Sequence, residues 1–210
     1  MTTRILPGRA GTARLRRMLT AISAALLLAG VVTGCGGGPT PTAGLSPPSS
    51  PAPESNPAGD IPDNQAYVPY TSPQGWYTVS VPEGWSRAVR GPAVVFTDKL
   101  NTVTLETRPQ PAAPDVASAR AQELPALQAS VPGYQPGQVT MVTRAAGPAV
   151  LITYGAPSPP DPVTGKTTTD AVERYEFWKA GQELILTLSG PQGADNADPW
   201  HRITDSVRWQ

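Results

Sequence analysis

The stretch "TDAVERYEFWKAGQELILTLSGP", residues 169–191, decides the fold class. Two runs rich in aromatic and aliphatic side chains flank Lys179, Ala180, Gly181 and Gln182, and Leu184, Leu186 and Leu188 recur at every second position. Successive side chains of a strand point to opposite faces, so this period puts the three leucines on one buried face. With a glycine-containing centre, the stretch reads as a β-hairpin that turns at residues 179–182.

Strand signals repeat on its amino-terminal side. "GQVTMVTRAAGPAVLITYGAP", residues 137–157, reads as two strands turning around residues 145–148. "GWYTVSVPEGW", residues 75–85, sets Trp76, Thr78 and Ser80 on one face and Tyr77, Val79 and Val81 on the other, then stops at Pro82. "PAVVFTD" and "NTVTLETRP" are separated only by Lys99 and Leu100, which predicts a tight antiparallel pair. Two segments carry helical spacing instead. After Asp115, residues Val116, Ala117, Ala121, Leu124 and Leu127 fall within one face, and Pro125 predicts a kink or an end. In "DNADPWHRITDSVRWQ", residues 195–210, Trp200, Ile203 and Val207 share a side, with Asp198 expected as N-cap and Pro199 at the first helical position. The expectation is an α+β domain over residues 61–210, an antiparallel β-sheet flanked by helices around one aromatic-containing core. All five tryptophans, both phenylalanines and all six tyrosines lie within it.

This order of elements, with "PQGWYTVSVPEGW", "YEFWKAGQELILTLSGP" and a final tryptophan-containing helix, resembles the PsbP/Mog1-like fold, an α/β sandwich. Among its members the chain looks most like the Lpq-type lipoproteins of actinobacteria. The resemblance covers nearly all of residues 67–210 and rests on packing and turn residues. It implies a binding or accessory role, since one group of the family assists photosystem assembly and another binds a small GTPase. It carries over no catalytic residue.

Ahead of this domain the composition changes. The first 35 residues hold Arg4, Arg9, Arg14, Arg16 and Arg17 and no acidic residue. An apolar run of 15 residues, "MLTAISAALLLAGVV" at 18–32, follows; it is short for a spanning helix, which needs about 20, and suits a signal-peptide core. Val32, Thr33, Gly34 and Cys35 then resemble the lipobox of bacterial lipoproteins. That resemblance implies cleavage between Gly34 and Cys35 and a diacylglyceryl group on the Cys35 sulfur, whose two chains anchor a protein stably. Arg16 and Arg17 form a twin-arginine pair without the rest of that export motif, so general secretion is expected. Residues 36–60 contain seven prolines, five glycines and six serines or threonines, with Leu45 the only large aliphatic residue. Such a tract cannot bury enough apolar surface to offset its ordering entropy and reads as a disordered linker. The organisation expected is a signal peptide at 1–34, a lipidated cysteine with linker at 35–60, and the domain at 61–210.

A chain beginning at Cys35 keeps 11 of the 16 basic residues against 16 acidic ones, a net charge of −5 that argues against nucleic-acid binding. His201, the only histidine, lies one helical turn from Asp205, but no G-x-S-x-G elbow accompanies it, so an ordinary surface pair is the expectation. "GKTTTD", residues 165–170, ends like a phosphate-binding loop, yet Pro160 occupies the position of the required first glycine. Asp161, Asp170, Glu173 and Glu176 are near in sequence, but alternation puts Glu173 and Glu176 on opposite faces, so no metal or other cofactor is expected. Trp76, Trp85 and Trp178 are the candidate ligand-binding residues, with Trp85, beside Gly84 in a turn, the least certain to be core. The functional expectation is a non-enzymatic, lipid-anchored protein on the extracytoplasmic face of the membrane that binds another envelope protein or assists assembly. The alternatives are a carrier of a lipid or glycan in an apolar pocket and an envelope hydrolase using His201.

Overall fold

The computed structural model describes residues 57–161 and 163–210. The signal-peptide and lipidation expectations, with Gly34 and Cys35, and the linker up to residue 56 lie outside the described residues.

Among the described residues, ten strands and three short helices follow in chain order: β1 (Tyr67–Thr71), β2 (Tyr77–Pro82), β3 (Ser86–Arg90), β4 (Ala93–Asp98), β5 (Asn101–Pro109), α1 (Val116–Ser118), α2 (Leu124–Ser130), β6 (Gln135–Arg144), β7 (Gly147–Pro157), β8 (Thr169–Lys179), β9 (Gln182–Pro191), α3 (Ala197–Asp205) and β10 (Arg208–Trp209). A π-helical turn, Ala119–Glu123, joins α1 to α2. Seven strands form an antiparallel sheet in the order β3-β4-β5-β9-β8-β7-β6, and β1-β2-β10 form a smaller one. The α+β architecture expected from the sequence is present, and β8 and β9 pair from Asp170↔Pro191 to Lys179↔Gln182, the register the leucine alternation requires.

Both faces of the large sheet are covered, which corrects the expectation of a single core. On one face Leu184, Leu186 and Leu188 join Val103, Leu105, Tyr175 and Phe177 against β1, β2 and α3, which contribute Tyr77, Val79, Trp200 and Ile203. The other face carries a smaller cluster of Val139, Val150 and Ile152 under Ala119 and Leu127 of the helical segment. β8 and β9 are apolar mainly on the first face; on the other they present Arg174, Glu176 and Glu183 to the helical segment, and β6 and β7 supply the apolar contacts there.

Pro125 neither ends nor visibly stops the helical segment; the winding changes ahead of it. The Leu124 N–H donates to the Ala119 carbonyl, five residues back, and α2 then begins with Pro125 in its first turn. In an α-helix the proline ring collides with the carbonyl four residues earlier, and the wider π turn displaces that carbonyl. The turn also changes the phase: Ala119 is buried while Ala117 and Ala121, expected inside, are exposed. The start of α1 follows expectation, with a capping box between Asp115 and Ser118.

The start of α3 lies two residues earlier than expected. Asn196 is its N-cap residue, Asp198 sits in the first turn, and Asn196 makes no side-chain cap bond. Its amide is committed elsewhere: Oδ1 accepts the Ile61 N–H at 2.8 Å, and Nδ2 donates to the Gly59 carbonyl at 2.9 Å and to Asn101 Oδ1 at 3.0 Å. Asn101 Nδ2 also reaches the Gly59 carbonyl at 2.9 Å. Two asparagines thus bolt residues 59–61 to the carboxyl-terminal end of β9. Gly190 is glycine for the same reason, since a Cβ there would lie 2.3 Å from Asn101 Oδ1.

A charged seam fastens the helical segment to the middle of the sheet. Glu123, in the π turn, accepts from Arg108 of β5 and Arg174 of β8. Arg108 also holds Glu183 of β9, and Arg174 holds Glu176 of its own strand at 3.1 Å. Burial alone would lower the Arg108 pKa, but hydrogen bonds to Glu183 and Glu123 hold it above its ordinary value.

Candidate functional site

The hairpin that decides the fold also builds one wall of the candidate site. Ala180 and Gly181, at φ 48° and 83°, close β8 onto β9. Left-handed conformations at both central positions match the twist of the flanking strands, although glycine or asparagine suits the first better than alanine. Beside this tip, the β1–β2 connection brings up Trp76. Ser72 Oγ accepts the Trp76 N–H at 2.9 Å, and the Gly75 N–H donates to the Ser72 carbonyl at 2.9 Å, with Gly75 at φ 74°. The chain end closes the third side: Trp209 pairs with Tyr77, the Gln210 N–H donates to the Trp76 carbonyl, and Gln210 Nε2 donates to Thr78 Oγ1.

Trp76, Trp209, Lys179, Ala180, Gln182 and Gln210 line the resulting depression of about 130 Å³. Trp76 is 38% exposed and Trp209 is half-buried, packed against the larger core. Gln182 Oε1 is buried with no hydrogen-bond partner. Two indoles and one ammonium suit recognition of an apolar or aromatic side chain beside a carboxylate. The six residues include no nucleophile paired with a base.

The other candidates go to separate places. Trp178 Nε1 donates to the Gln110 carbonyl at 2.7 Å, tying the chain after β5 to β8. Trp85 packs against the larger core, half-buried. Trp200 is buried within it. His201 is exposed on α3, and the Asp205 carboxylate accepts the Ala145 N–H at 3.0 Å instead of pairing with it. "GKTTTD" lies in the exposed β7–β8 connection and the start of β8, where Asp161 accepts the N–H groups of Val163 and Thr164. Glu173 accepts from the Tyr175 hydroxyl at 2.7 Å, while Glu176 faces the helical segment, the opposite faces that alternation requires. Among the described residues no three His, Cys, Asp or Glu side chains group to hold a metal ion. A separate cleft of about 290 Å³ lies at the far ends of β6, β7 and β8, near Gln135, Thr153, Gln192 and Trp200. Trp209, not among the candidates expected from the sequence, lies beside Trp76; its signal is the alternation in "SVRWQ" after Asp205.

No protein-family model matches the chain, and no curated protein matches it. Solved structures do. The cyanobacterial PsbP of Synechocystis aligns at 14% identity over 74% of this chain and 100% of its own, with a TM-score of 0.50. The yeast Ran-binding protein Mog1p, from Saccharomyces cerevisiae, aligns at 11% identity over 69% and 95%, TM-score 0.46. LpqN of Mycobacterium tuberculosis, described as involved in cell envelope biogenesis, aligns at 15% identity over 70% and 92%, TM-score 0.40. The chain spans about half (48%) of a further structure, from Bacteroides thetaiotaomicron. The fold is PsbP/Mog1-like, as the sequence resemblance implied, and the PsbP alignment carries that conclusion. At these identities the likeness is one of fold alone. Among the described residues no helix is long and apolar enough to cross a membrane.

Proposed function

We propose that this chain is a non-enzymatic, lipid-anchored envelope protein whose domain binds another envelope protein through the depression between Trp76 and Trp209. In this reading residues 1–34 are a signal peptide, Cys35 carries the lipid after cleavage behind Gly34, residues 36–60 are the linker, and the domain works on the extracytoplasmic face of the membrane. The observation that carries it is the separation of two ends of the domain. The Asn101–Asn196 bolt fixes residues 59–61 at one end of β9, and the aromatic depression sits at the other. Ten residues of strand place these about 30 Å apart. With residues 59–61 fixed, the remaining linker of about 23 residues adds a root-mean-square span of about 25–30 Å as a flexible coil. The aromatic end then meets partners away from the lipid surface.

Fractionation of cells expressing the full chain tests the anchor. Wild-type protein partitions with membranes and its mature amino terminus has the mass of a diacylated Cys35, whereas Cys35→Ser is released. A Cys35→Ser protein that stays in the membrane fraction with an unchanged amino-terminal mass defeats this reading. His201→Ala, in turn, leaves partner capture intact.

A further inference from the structure

The charged seam holds three carboxylates, Glu123, Glu176 and Glu183, against two guanidinium groups, Arg108 and Arg174. With every group ionised it carries one net negative charge, in a place where the Glu176 and Glu183 side chains are 0% exposed. An uncompensated buried charge is costly, and an orphaned carboxylate oxygen adds its desolvation penalty. Two such oxygens are present, Glu176 Oε2 and Glu183 Oε1, each buried with no partner. Both residues line one small pocket of about 10 Å³, together with Ser118, Ala119 and Glu123. That is room for about a single water.

We propose that this seam is a one-proton latch: a proton on Glu176 neutralises the cluster and keeps the helical segment docked, and its loss loosens residues 119–130 from the sheet. Three observations converge on Glu176 as the holder. Glu123 receives both guanidinium groups, and Glu183 is engaged by Arg108, which does not bond Glu176. Glu176 has only Arg174, through a single contact at 3.1 Å, while Arg174 is shared with Glu123. Protonated at Oε2, Glu176 gains a donor that reaches Glu183 Oε1 through a water in the pocket, so one proton satisfies both orphaned oxygens. The groups facing Glu176 are Arg174 of its own strand, Glu123 of the π turn, Glu183 of β9 and, beyond Glu183, Arg108 of β5. On the same face Glu106 lies two residues from Arg108, and Tyr154 of β7 lies near Arg174, whose charge works against the burial that raises the tyrosine's pKa. The π turn is what brings Glu123 over the two arginines, so the latch sits at the one irregular winding of the helical segment.

Burial, with Glu123 and Glu183 opposing Arg174, pushes the Glu176 carboxyl up to about 7. In an opened segment the carboxyl regains solvent and its ordinary value. The docked form therefore binds the proton more tightly, and docking is strongest at low pH and weakens as pH rises from about 4.5 through 7. Each unit of pKa difference changes the opening equilibrium tenfold at the alkaline limit.

Hydrogen exchange on the full chain at pH 5 and pH 8, corrected for intrinsic exchange rates, tests the latch. The opening equilibrium of amides in residues 119–130 is expected to rise about tenfold or more between the two, while α3 amides hold constant. Glu176→Gln, neutral at both values, abolishes the rise. Should that variant not fold, Glu183→Gln provides the second arm: it balances the seam at two against two and reduces the rise. Equal corrected protection of residues 119–130 at both pH values in the wild type, or an undiminished rise in the folded variants, overturns the proposal.

Discussion

The two ends of β9 are built on opposite principles. At its carboxyl-terminal end, near Pro191, polar groups are buried and bonded: Asn101, Asn196, the Gly59 carbonyl and the Ile61 N–H close a network with no room to move. A Cβ on Gly59 would lie 2.5 Å from the Pro191 ring, so the chain passes there as closely as glycine permits. At the amino-terminal end, near Gln182, apolar groups are exposed: Trp76 opens to solvent beside Trp209 and an alanine held at positive φ. One end holds the chain and the other presents a surface. Buried hydrogen bonds are concentrated at the first end, and substitutions at the second are expected to cost less stability.

The largest effect that would break this contrast comes from the bolt. Asn196→Ala removes three hydrogen bonds and leaves the Ile61 N–H unpaired; a loss of about 2–4 kcal/mol is expected by denaturant titration. Gly190→Ala forces the same network apart and approaches that size. Between the two ends, the seam makes stability depend on pH. The wild type is expected to lose about 1–3 kcal/mol from pH 5 to pH 8 as the raised Glu176 carboxyl ionises, and Glu176→Gln flattens that profile. At the aromatic end, Ala180→Gly relieves a left-handed alanine and should stabilise by about 1 kcal/mol, read as a higher midpoint of thermal unfolding. Smallest of all, Trp76→Ala changes stability by about 1 kcal/mol or less, since the side chain is substantially exposed, yet it removes partner capture.

Much of the fold was legible because strand alternation is a local signal. Leu184, Leu186 and Leu188, like Tyr77, Val79 and Val81, are inside as their spacing requires. The turns at 99–100 and 179–182 fell where strand length and glycine put them. What escaped depended on partners distant in sequence. Asn196 carries every mark of a helix cap, but its side chain is occupied by Ile61, 135 residues away. Nothing local to Pro125 distinguishes a π turn from a kink. The seam as a whole is not legible in the sequence, because its arginines and glutamates, spread over β5, the π turn, β8 and β9, converge only when the sheet is assembled. Of the three candidate tryptophans, Trp76 lines the depression, Trp85 packs against the larger core and Trp178 ties to the Gln110 carbonyl, while Trp209 lies in β10, beyond the end of α3.

Site-specific photo-crosslinking in intact cells tests the central claim most directly, with the probe placed in the full chain at position 76 in one variant and at position 198, beside the bolt, in another. A discrete protein adduct from position 76 and none from position 198 is the predicted result. Equal adducts from both positions, or lipid as the only species captured at position 76, would contradict the account.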